Sequence, residues 1–342
     1  MPKVTIYTLA NELNMTPSMV SRALNPNGKI SEENRKKVLE AARKHNFSPN
    51  KFASRLSMET IRIGIIINNR YEAIKNQMLF GIEKAHLKLK DYKINYDVTL
   101  LNAEISSEAN CSEALERYAA YDGIIVTGMS SEKYAPILNA ILERNPNIVQ
   151  VQATNDNLNC LFSSKHNEAT ASGVAAEFIG ACLRGAKRKN VLLFTGNTDS
   201  VLHRKASAAF GDCCRELGLN LVSCVDMKDS DKYFREILPS VFEKHERELD
   251  GIYITSGMSL PLCEYLYEKG INIPFVAFDV HDHIKEYLEK GVVSAAIFQN
   301  VSKQMETAFT LLSKHIISGE KCEKTIYTDI HLVLKSNMHQ YE

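Results

Sequence analysis

The sequence predicts an all-α helix-turn-helix head joined to a larger α/β body of two lobes with parallel sheets. Three short runs with apolar side chains at helical spacing fill residues 5–45. From residue 61 onward, continuous apolar strands alternate with amphipathic helices, a pattern typical of parallel sheets covered on both faces. The segment DGIIVTG at 122–128 recurs as DGIYITSG at 250–257, which indicates a duplication and hence two similar lobes.

Size and charge agree with a head and a body. The chain has 342 residues, of which 44% are hydrophobic and 24% charged, values typical of a globular protein that buries a large core. Its net charge is zero, but residues 1–60 hold ten basic and five acidic side chains, so the head carries +5 and the remainder −5. A basic head on an acidic body is the asymmetry expected of a nucleic-acid-binding module fused to a second domain.

Each head helix has its own start signal. Thr5 can cap the first helix. Thr16 followed by Pro17 starts a second helix that runs to about residue 24, because threonine caps helices and proline is favoured at the first helical position. Ser31 caps a third helix that runs to about residue 45. The predicted inward positions are Ile6, Leu9, Ala10 and Leu13 in the first helix, Val20, Ala23 and Leu24 in the second, and Val38, Leu39 and Ala42 in the third.

The first two helices are predicted to form a helix-turn-helix, although a generic three-helix bundle would share the periodicity. The second helix of such a motif enters the major groove of DNA. Arg22 on this helix can donate two hydrogen bonds to guanine O6 and N7, and a solvated surface charge is the alternative. The DNA-binding candidates of the head are Thr5, Thr16, Pro17, Ser18, Ser21, Arg22, Asn25 and Lys29. Among these, Thr5 and Lys29 occupy cap and loop positions, where phosphate contacts usually arise.

Residues 48–58 read SPNKFASRLSM and connect the head to the body. Pro49 and Asn50 can start a helix of about six residues, far below the ~12–15 at which an isolated helix becomes marginal in water. Such a helix has to fold against a surface, and Lys51 and Arg55 make DNA a suitable one. The linker is therefore predicted to order on DNA, with Asn50 as a further phosphate contact, and a plain tether is the alternative.

The body alternates strands and helices along its whole length. The predicted strands are 61–67, 96–101, 122–127, 147–152, 190–195, 219–225, 250–255, 275–278, 293–298 and a last one near 326–334. The predicted helices are 73–90, 110–121, 131–144, 167–184, 203–217, 230–245, 259–269, 281–290 and 301–318.

Polar residues follow many of the predicted strands, where open parallel sheets bind their ligands. They are Asn68, Asn69, Thr127, Asn197, Thr198, Ser256, Asp279 and Gln299. A carboxylate, amides and hydroxyls that converge at the carboxyl ends of strands suit a polyhydroxylated ligand. Ordinary loop capping is the alternative interpretation of such residues.

The sequence does not support disulfide bonds, metal binding, catalysis or membrane insertion. The eight cysteines form no C-x-x-C pair and no zinc-finger spacing, so we expect reduced core thiols. The run Asp279-Val-His281-Asp282-His283 could suggest a metal, but without a second ligand cluster a solvated helix start is preferred. No G-x-S-x-G, P-loop or G-x-G-x-x-G occurs, so neither catalysis nor a cofactor is expected. With no export signal and no apolar run near the ~18 residues of a membrane span, the sequence predicts a soluble, cytoplasmic protein.

Three stretches carry a resemblance to a known family. VTIYTLANELNMTPSMVSRALN (4–25), ISEENRKKVLEAARKHNFSPNKFASRL (30–56) and IRIGIIIN (61–68) resemble the lactose-repressor (LacI/GalR) family of bacterial transcription regulators. The most specific motifs are V-S-R in the second helix, F-S-P-N at the linker and A-x-x-L within it, here Ala53 and Leu56. The remaining chain is similar in layout to the family's effector domain, which resembles periplasmic sugar-binding proteins.

The resemblance implies a homodimer that binds double-stranded DNA and clamps a small-molecule effector, a sugar or sugar derivative, between two lobes. It implies a DNA-binding domain at 1–48, a hinge helix at 49–60 and an effector-binding and dimerisation domain at 61–342. Crossovers near 158–163, 289–293 and 324–328 would give a first lobe of about 61–160 and 292–325 and a second of about 161–291 and 326–342. Leu56 would wedge a base step apart in the minor groove, with Ala53 as a further DNA contact, and dimer packing is the alternative for Leu56.

The resemblance also bears on the effector site. Asp279 and Gln299 look like the sugar-contacting pair of the ribose-binding type and are the preferred contacts. Two departures concern the effector: His166 stands where the family usually has aspartate, and Ala206 replaces the usual arginine of an R-x-x-G-F helix. Arg204 could substitute from a different angle. The predicted effector-binding set is Asn68, Thr127, Asn197, Arg204, Ser256, Asp279 and Gln299.

Residues and resemblance together predict an effector-controlled, sequence-specific DNA-binding regulator, a repressor of carbohydrate-utilisation genes acting on a near-palindromic operator. One alternative is a sugar-binding protein of the transport class, which the basic head and the missing export signal disfavour. Another is an enzyme on a similar two-lobed fold.

Overall fold

The computed structural model describes residues 5–24, 28–45, 47, 60–103, 105–155, 157–245 and 248–341. These residues belong to two compact units. The smaller unit contains three N-terminal helices, and the larger one contains two six-stranded sheets. The predicted fold class, a helical head and a two-lobed α/β body, is confirmed.

The head consists of α1 (Ile6–Glu12), α2 (Pro17–Leu24) and α3 (Glu32–Lys44). All three predicted caps are present, because Thr5 accepts a hydrogen bond from Thr8 N, Thr16 from Met19 N and Ser31 from Asn34 N. Each of these bonds satisfies an amide that the first helical turn leaves without a partner.

The buried core of the head consists of Leu9, Ala10, Val20, Ala23, Val38, Ala41 and Ala42. The prediction that Leu39 faces inward is wrong, since this side chain is 39% exposed. Val38, Ala41 and Ala42 follow the i, i+3, i+4 stripe of a helix, and Leu39 lies one 100° step away from it.

Gly28 lies close to the end of α2. A Cβ at Gly28 would lie 2.0 Å from the Arg22 carbonyl oxygen, so only glycine fits this approach. Arg35 of α3 donates to Ala23 O at 3.1 Å and to Gly28 O at 2.6 Å. These contacts fix the carboxyl end of α2 against α3.

The body contains twelve strands among the described residues. They are β1 (Ile61–Asn68), β2 (Ile94–Leu101), β3 (Gly123–Thr127), β4 (Ile148–Val151), β5 (Phe162–Lys165), β6 (Asn190–Thr195), β7 (Asn220–Asp226), β8 (Gly251–Ile254), β9 (Phe275–Phe278), β10 (Ala295–Phe298), β11 (Thr325–Tyr327) and β12 (His331–Val333). The first sheet has the order β11-β5-β4-β3-β1-β2 and the second β12-β10-β9-β8-β6-β7. Every pair is parallel except β10 with β12.

The body helices are α4 (Glu72–Lys88), α5 (Glu108–Tyr118), α6 (Ala135–Leu142), α7 (Glu168–Cys182), α8 (Val201–Leu217), α9 (Asp231–His245), α10 (Leu260–Lys269), α11 (Asp282–Glu289) and α12 (Val301–Ser318). Alternate residues of β6 belong to two different cores: Leu192 and Phe194 to one, Val191 and Leu193 to the other. The second sheet is therefore covered on both faces, as the continuous apolar strands predict. Among the described helices, none combines the length and apolarity needed to cross a membrane.

The predicted crossovers near 158–163 and 289–293 are wrong, whereas the one near 324–328 adjoins the observed passage between β11 and β12. Phe162–Lys165, missed as a strand, pairs with β4 and β11 in the first sheet, and β10 belongs to the second. The predicted last strand is two short strands, one in each sheet. The chain therefore passes between lobes at 166–167, 299–300 and 328–330. Phe-Ser-Ser-Lys lacks an apolar run although all four residues are buried, so its strand leaves no hydrophobic signal.

Candidate functional site

The exposed side of α2 groups the polar residues predicted to meet DNA. Thr16, Ser18 and Arg22 are exposed and Pro17 is half-buried. The Arg22 Nε donates to Ser18 O at 3.3 Å, and the Thr16 and Ser18 hydroxyls lie 3.0 Å apart. Thr5, Ser21 and Lys29 are also exposed, whereas Asn25, Asn50, Ala53 and Leu56 lie outside the described residues.

Asp279 and Gln299 form a buried pair in the body. Asp279 directly follows β9 in the left-handed conformation, with φ of 64°, and its amide donates to Ile297 O. Gln299 Nε2 donates to Asp279 Oδ1 at 2.7 Å. Gln304 Nε2 in turn donates to the Gln299 carbonyl oxygen at 2.7 Å. Because Gln299 lies in the second crossover, the pair is placed where the two lobes join.

Tyr71 approaches this pair from the first lobe. A Cβ at Gly257 would lie 3.3 Å from Asp279 Oδ2 and 3.6 Å from the Tyr71 ring, so both groups converge on this glycine. Tyr71 also packs against the hydrophobic core of the second lobe. The site thus combines side chains from both lobes.

Two histidines complete the surroundings. His166, in the first crossover, lies 5.4 Å from Phe278 between ring centroids and faces the Gln299 side chain. His281 follows Asp279 by two residues and faces the Gly257 backbone. Buried polar atoms that lack a hydrogen-bond partner among the described residues include the Tyr71 and Tyr253 hydroxyls, Nδ1 of His166 and His203, Nε2 of His281 and Oε1 of Gln304. Buried polar atoms normally have hydrogen-bond partners, so several unpartnered ones near Asp279 indicate a surface that binds a ligand.

Burial dominates the electrostatics of the site. It raises the pKa of Asp279 to about 7, against the hydrogen bond from Gln299, which lowers it. It lowers the pKa of His166, His203 and His281, so these rings are neutral at pH 7. Burial also raises the pKa of the Tyr71 hydroxyl. Within the part of the chain that the structure describes, no three His, Cys, Asp or Glu side chains are arranged to hold a metal ion.

Arg70 joins the two lobes. Its Nη2 lies 2.6 Å from Asp231 Oδ1, and its Nη1 donates to Asp229 O at 2.5 Å and contacts Met258 Sδ at 3.7 Å. Two further contacts cross the cleft: Gln77 Nε2 donates to Val280 O at 3.4 Å, and the Ser130 and Ser200 hydroxyls lie 3.4 Å apart. The lobes are therefore closed on each other.

The structure brings together only part of the predicted effector set. Ser256 is buried and adjoins Gly257, beside Asp279 and Gln299. Asn68 Nδ2 donates to Gly128 O at 3.1 Å and so ties the end of β1 to the loop after β3, whereas Asn197 Oδ1 accepts from Asp199 N at 2.9 Å and stabilises a local turn. Thr127 is buried at the end of β3.

Arg204 does not reach the Asp279 group. Its side chain is exposed, and its Nη1 donates to Thr198 O at 2.6 Å and Asp199 O at 3.0 Å. Because Arg204 lies in the first turn of α8, the carbonyl oxygens of the preceding loop are its nearest acceptors. Arg204 was expected to replace the family's ligand-binding arginine, but in this structure its hydrogen bonds go to the loop before α8 and none goes to the Asp279 site.

Besides His166 and His281, which the sequence analysis noted without assigning them to the effector set, the site contains five residues that were not predicted: Arg70, Tyr71, His203, Tyr253 and Gln304. Arg70 and Tyr71 follow β1 directly, at the end of the strand where ligands bind, so their position was a usable signal. Tyr253 lies within an apolar strand, and His203 and Gln304 lie within helices, where periodicity marks only a buried face.

Two family models together cover most of the chain. A model of bacterial regulatory proteins of the lacI family matches residues 5–50, and a periplasmic binding protein domain model matches residues 63–321. The chain belongs to the LacI family. It is a DNA-binding transcriptional regulator in which α2 is the second helix of the helix-turn-helix.

Relatives of this LacI-family regulator agree with that assignment. The chain is 24% identical over 279 residues to catabolite control protein A from Priestia megaterium, covering 79% of this chain and 80% of the relative. It is 24% identical over 275 residues to the HTH-type transcriptional regulator pepR1 from Lactobacillus delbrueckii subsp. lactis, covering 79% and 78%. The structure of GanP, a glucose-galactose binding protein from Geobacillus stearothermophilus, matches 82% of this chain and 99% of GanP with a TM-score of 0.72 at 16% identity, a likeness of fold.

Proposed function

We propose that this regulator is a repressor whose affinity for DNA is set by a small carbohydrate bound between the two lobes of the body. The observation that carries the proposal is the buried Asp279–Gln299 pair, surrounded by polar atoms that lack partners. A hydroxyl group both donates and accepts, so a carboxylate, an amide and neutral histidines suit it from all sides. GanP, which shares the fold, is named for binding glucose and galactose.

The position of the pair also supports control by ligand. Gln299 and His166 lie in two of the three segments that connect the lobes, and Tyr71 reaches Asp279 from the opposite lobe. A molecule that touches all of them binds the closed arrangement better than an open one. It therefore shifts the equilibrium between the two arrangements by that difference in affinity.

On DNA, we assign base contacts to Arg22 and the exposed side of α2, with Pro17, Ser18 and Ser21 beside it. Thr5, Thr16 and Lys29, at caps and in the loop, suit phosphate contacts. Asn25, Asn50, Ala53 and Leu56 extend this interface on the basis of the family resemblance. The operator would then consist of two half-sites about one helical turn apart, one for each head of a dimer.

A homodimer is supported by an apolar surface on the first lobe. Phe80 and Leu87 lie seven residues apart on the outer side of α4, and Leu87 is 68% exposed. Leu100 is exposed on β2, which is the edge strand of the first sheet. The Tyr96 ring of β2 lies 5.0 Å from the His86 ring of α4. Leu100 shares the Tyr96 face of β2 because alternate strand residues point the same way, so the three side chains share one side of the lobe. Exposed apolar patches of this kind typically mark a protein–protein interface.

Two experiments with the full chain test the proposal. A thermal-shift screen of sugars should find compounds that raise the melting temperature, because a ligand that binds only the folded state stabilises it. Selection from random duplex DNA should return near-palindromic sites. Stabilisation only by compounds without hydroxyl groups, or selection of single non-repeated sites, would contradict it.

A further inference from the structure

The basic side chains that come from segments around the cleft are engaged within the protein. Arg70 is bound to Asp231 and to the Asp229 carbonyl oxygen. Lys165, next to His166, is fully buried with Glu168 at 3.5 Å and the Thr154 hydroxyl at 3.1 Å. Arg204 is folded onto the carbonyl oxygens of residues 198 and 199. Asp279 is not among these partners of the three cations.

Four carboxylates lie in the same segments. Asp226 accepts from the amide and hydroxyl of Thr198 and from Lys228 N, and these hydrogen bonds keep its pKa below the usual value against the effect of burial. Asp229 and Asp231 lie in the segment that Arg70 binds, and Asp279 lies at the centre of the site. The surrounding histidines are neutral because burial lowers their pKa. Gln299 is the side-chain hydrogen-bond partner of Asp279, and no basic side chain among the described residues lies within ion-pair distance of this carboxylate.

An anionic ligand would therefore meet an uncompensated carboxylate in a closed, desolvated site. Burying a charge without an opposite charge is strongly unfavourable, and a like charge nearby adds repulsion. A hydroxyl group meets no such penalty, because it can donate to the Asp279 oxygens and accept from Gln299 or a histidine.

We propose that the site between the lobes selects an uncharged hydroxylated effector and rejects its phosphorylated counterpart. This inference rests on the proposed function, since it specifies which carbohydrates the same site accepts. The Arg70–Asp231 pair enforces the selection, because Asp231 occupies the guanidinium that would otherwise be available to a phosphate group.

Matched pairs of compounds provide the test: ribose with ribose 5-phosphate, glucose with glucose 6-phosphate, galactose with galactose 6-phosphate, and N-acetylglucosamine with its 6-phosphate. Each is titrated into the full chain by calorimetry at pH 7.5. We expect a neutral member to bind and its phosphorylated partner to bind at least tenfold more weakly. A phosphorylated member that binds more tightly than its neutral partner overturns the inference and leaves the carbohydrate effector intact. If no member of any pair binds, the carbohydrate effector itself fails, and the inference with it.

Asp231→Asn tests the cause of the selection. It removes the carboxylate that engages Arg70 and should reduce the preference for the neutral compound at least threefold by improving binding of the phosphorylated one. The matched control is Asp212→Asn, which breaks an exposed ion pair with Arg215 on α8 and should leave the preference unchanged. An unchanged preference in Asp231→Asn, with the protein folded by circular dichroism, contradicts the role of this pair.

Discussion

The guanidinium of Arg70 lies 2.6 Å from the Asp231 carboxylate and so connects the loop after β1 in the first lobe to the start of α9 in the second. The arginine side chain is only 13% exposed, whereas that of Asp231 is 42% exposed. The bond is thus partly shielded from solvent, and it stabilises the closed arrangement by more than a typical surface ion pair would. It favours the closed arrangement without contacting Asp279.

Arg70→Met should therefore favour the open arrangement. Loss of a partly shielded charged hydrogen bond costs about 1–2 kcal/mol, which corresponds to effector binding weakened about five- to thirtyfold. Small-angle scattering of the ligand-free variant should show a larger radius of gyration. Arg215→Met, which breaks a fully surface ion pair, is the control and should change neither quantity. An Arg70→Met protein with wild-type affinity would show that closure does not depend on this contact.

Stability should depend on pH through Asp279. The pKa of this carboxyl is about 7 in the folded protein and 3.8 in its ordinary state. Between these values the folded protein holds a proton that the unfolded chain has released, so the free energy of unfolding falls as pH rises from about 4 to 7. The slope approaches at most about 1.4 kcal/mol per pH unit. Asp279→Asn removes this titration.

Urea denaturation of both proteins at pH 5, 6, 7 and 8 checks this. The stability of Asp279→Asn relative to wild type should increase from pH 5 to 7 and then level off. Because all other titrating groups are shared, their effects cancel in the difference. A difference independent of pH would mean that Asp279 is ionised throughout this range.

Arg22→Ala should weaken binding to the selected DNA site by about 1–3 kcal/mol and relax the base preference at one position in each half-site. Lys37→Ala, which removes an exposed ion pair with Glu33 on α3, is the control and should leave the base preference intact. The measurement is the binding of a panel of single-base variants of the site. An equal loss on every sequence would make Arg22 a phosphate contact.

Leu87→Glu should weaken the homodimer, because two copies of the apolar surface would each bury a carboxylate at the interface. Sedimentation velocity over a range of concentrations should show a dimer dissociation constant at least tenfold higher than that of the wild type. Tyr267→Glu, at an exposed aromatic residue of α10 in the second lobe, is the matched control. If only the control dissociates the dimer, the interface lies on the second lobe.

Much of the fold followed from the sequence because apolar periodicity reports burial. Helix α12 was predicted at its observed bounds, 301–318, and the three head caps were predicted residue by residue. The sheet to which a strand belongs could not be predicted in the same way. β5 and β10 each directly precede a crossover, and the sheet that each joins depends on long-range pairing that no local pattern records.

The site was less predictable than the fold. Asp279 and Gln299 were identified because strand ends and the family resemblance both pointed to them. Arg204 was expected to face the effector, but its direction depends on which carbonyl oxygens lie nearby. Arg70 and Tyr71 belong to the first lobe but contact residues of the second. Such contacts depend on how the two lobes pack together, which no local sequence pattern records.

Control of DNA binding through Asp279 is the central claim, and fluorescence anisotropy measures it most directly. The selected duplex is titrated with wild type and with Asp279→Ala, each with and without the tightest-binding sugar from the screen. We expect the sugar to change the wild-type dissociation constant for DNA at least fivefold, a typical allosteric coupling. Asp279→Ala should bind DNA like ligand-free wild type, whether or not the sugar is present. A wild-type dissociation constant that saturating sugar leaves unchanged, or an equal response in Asp279→Ala, would contradict the account.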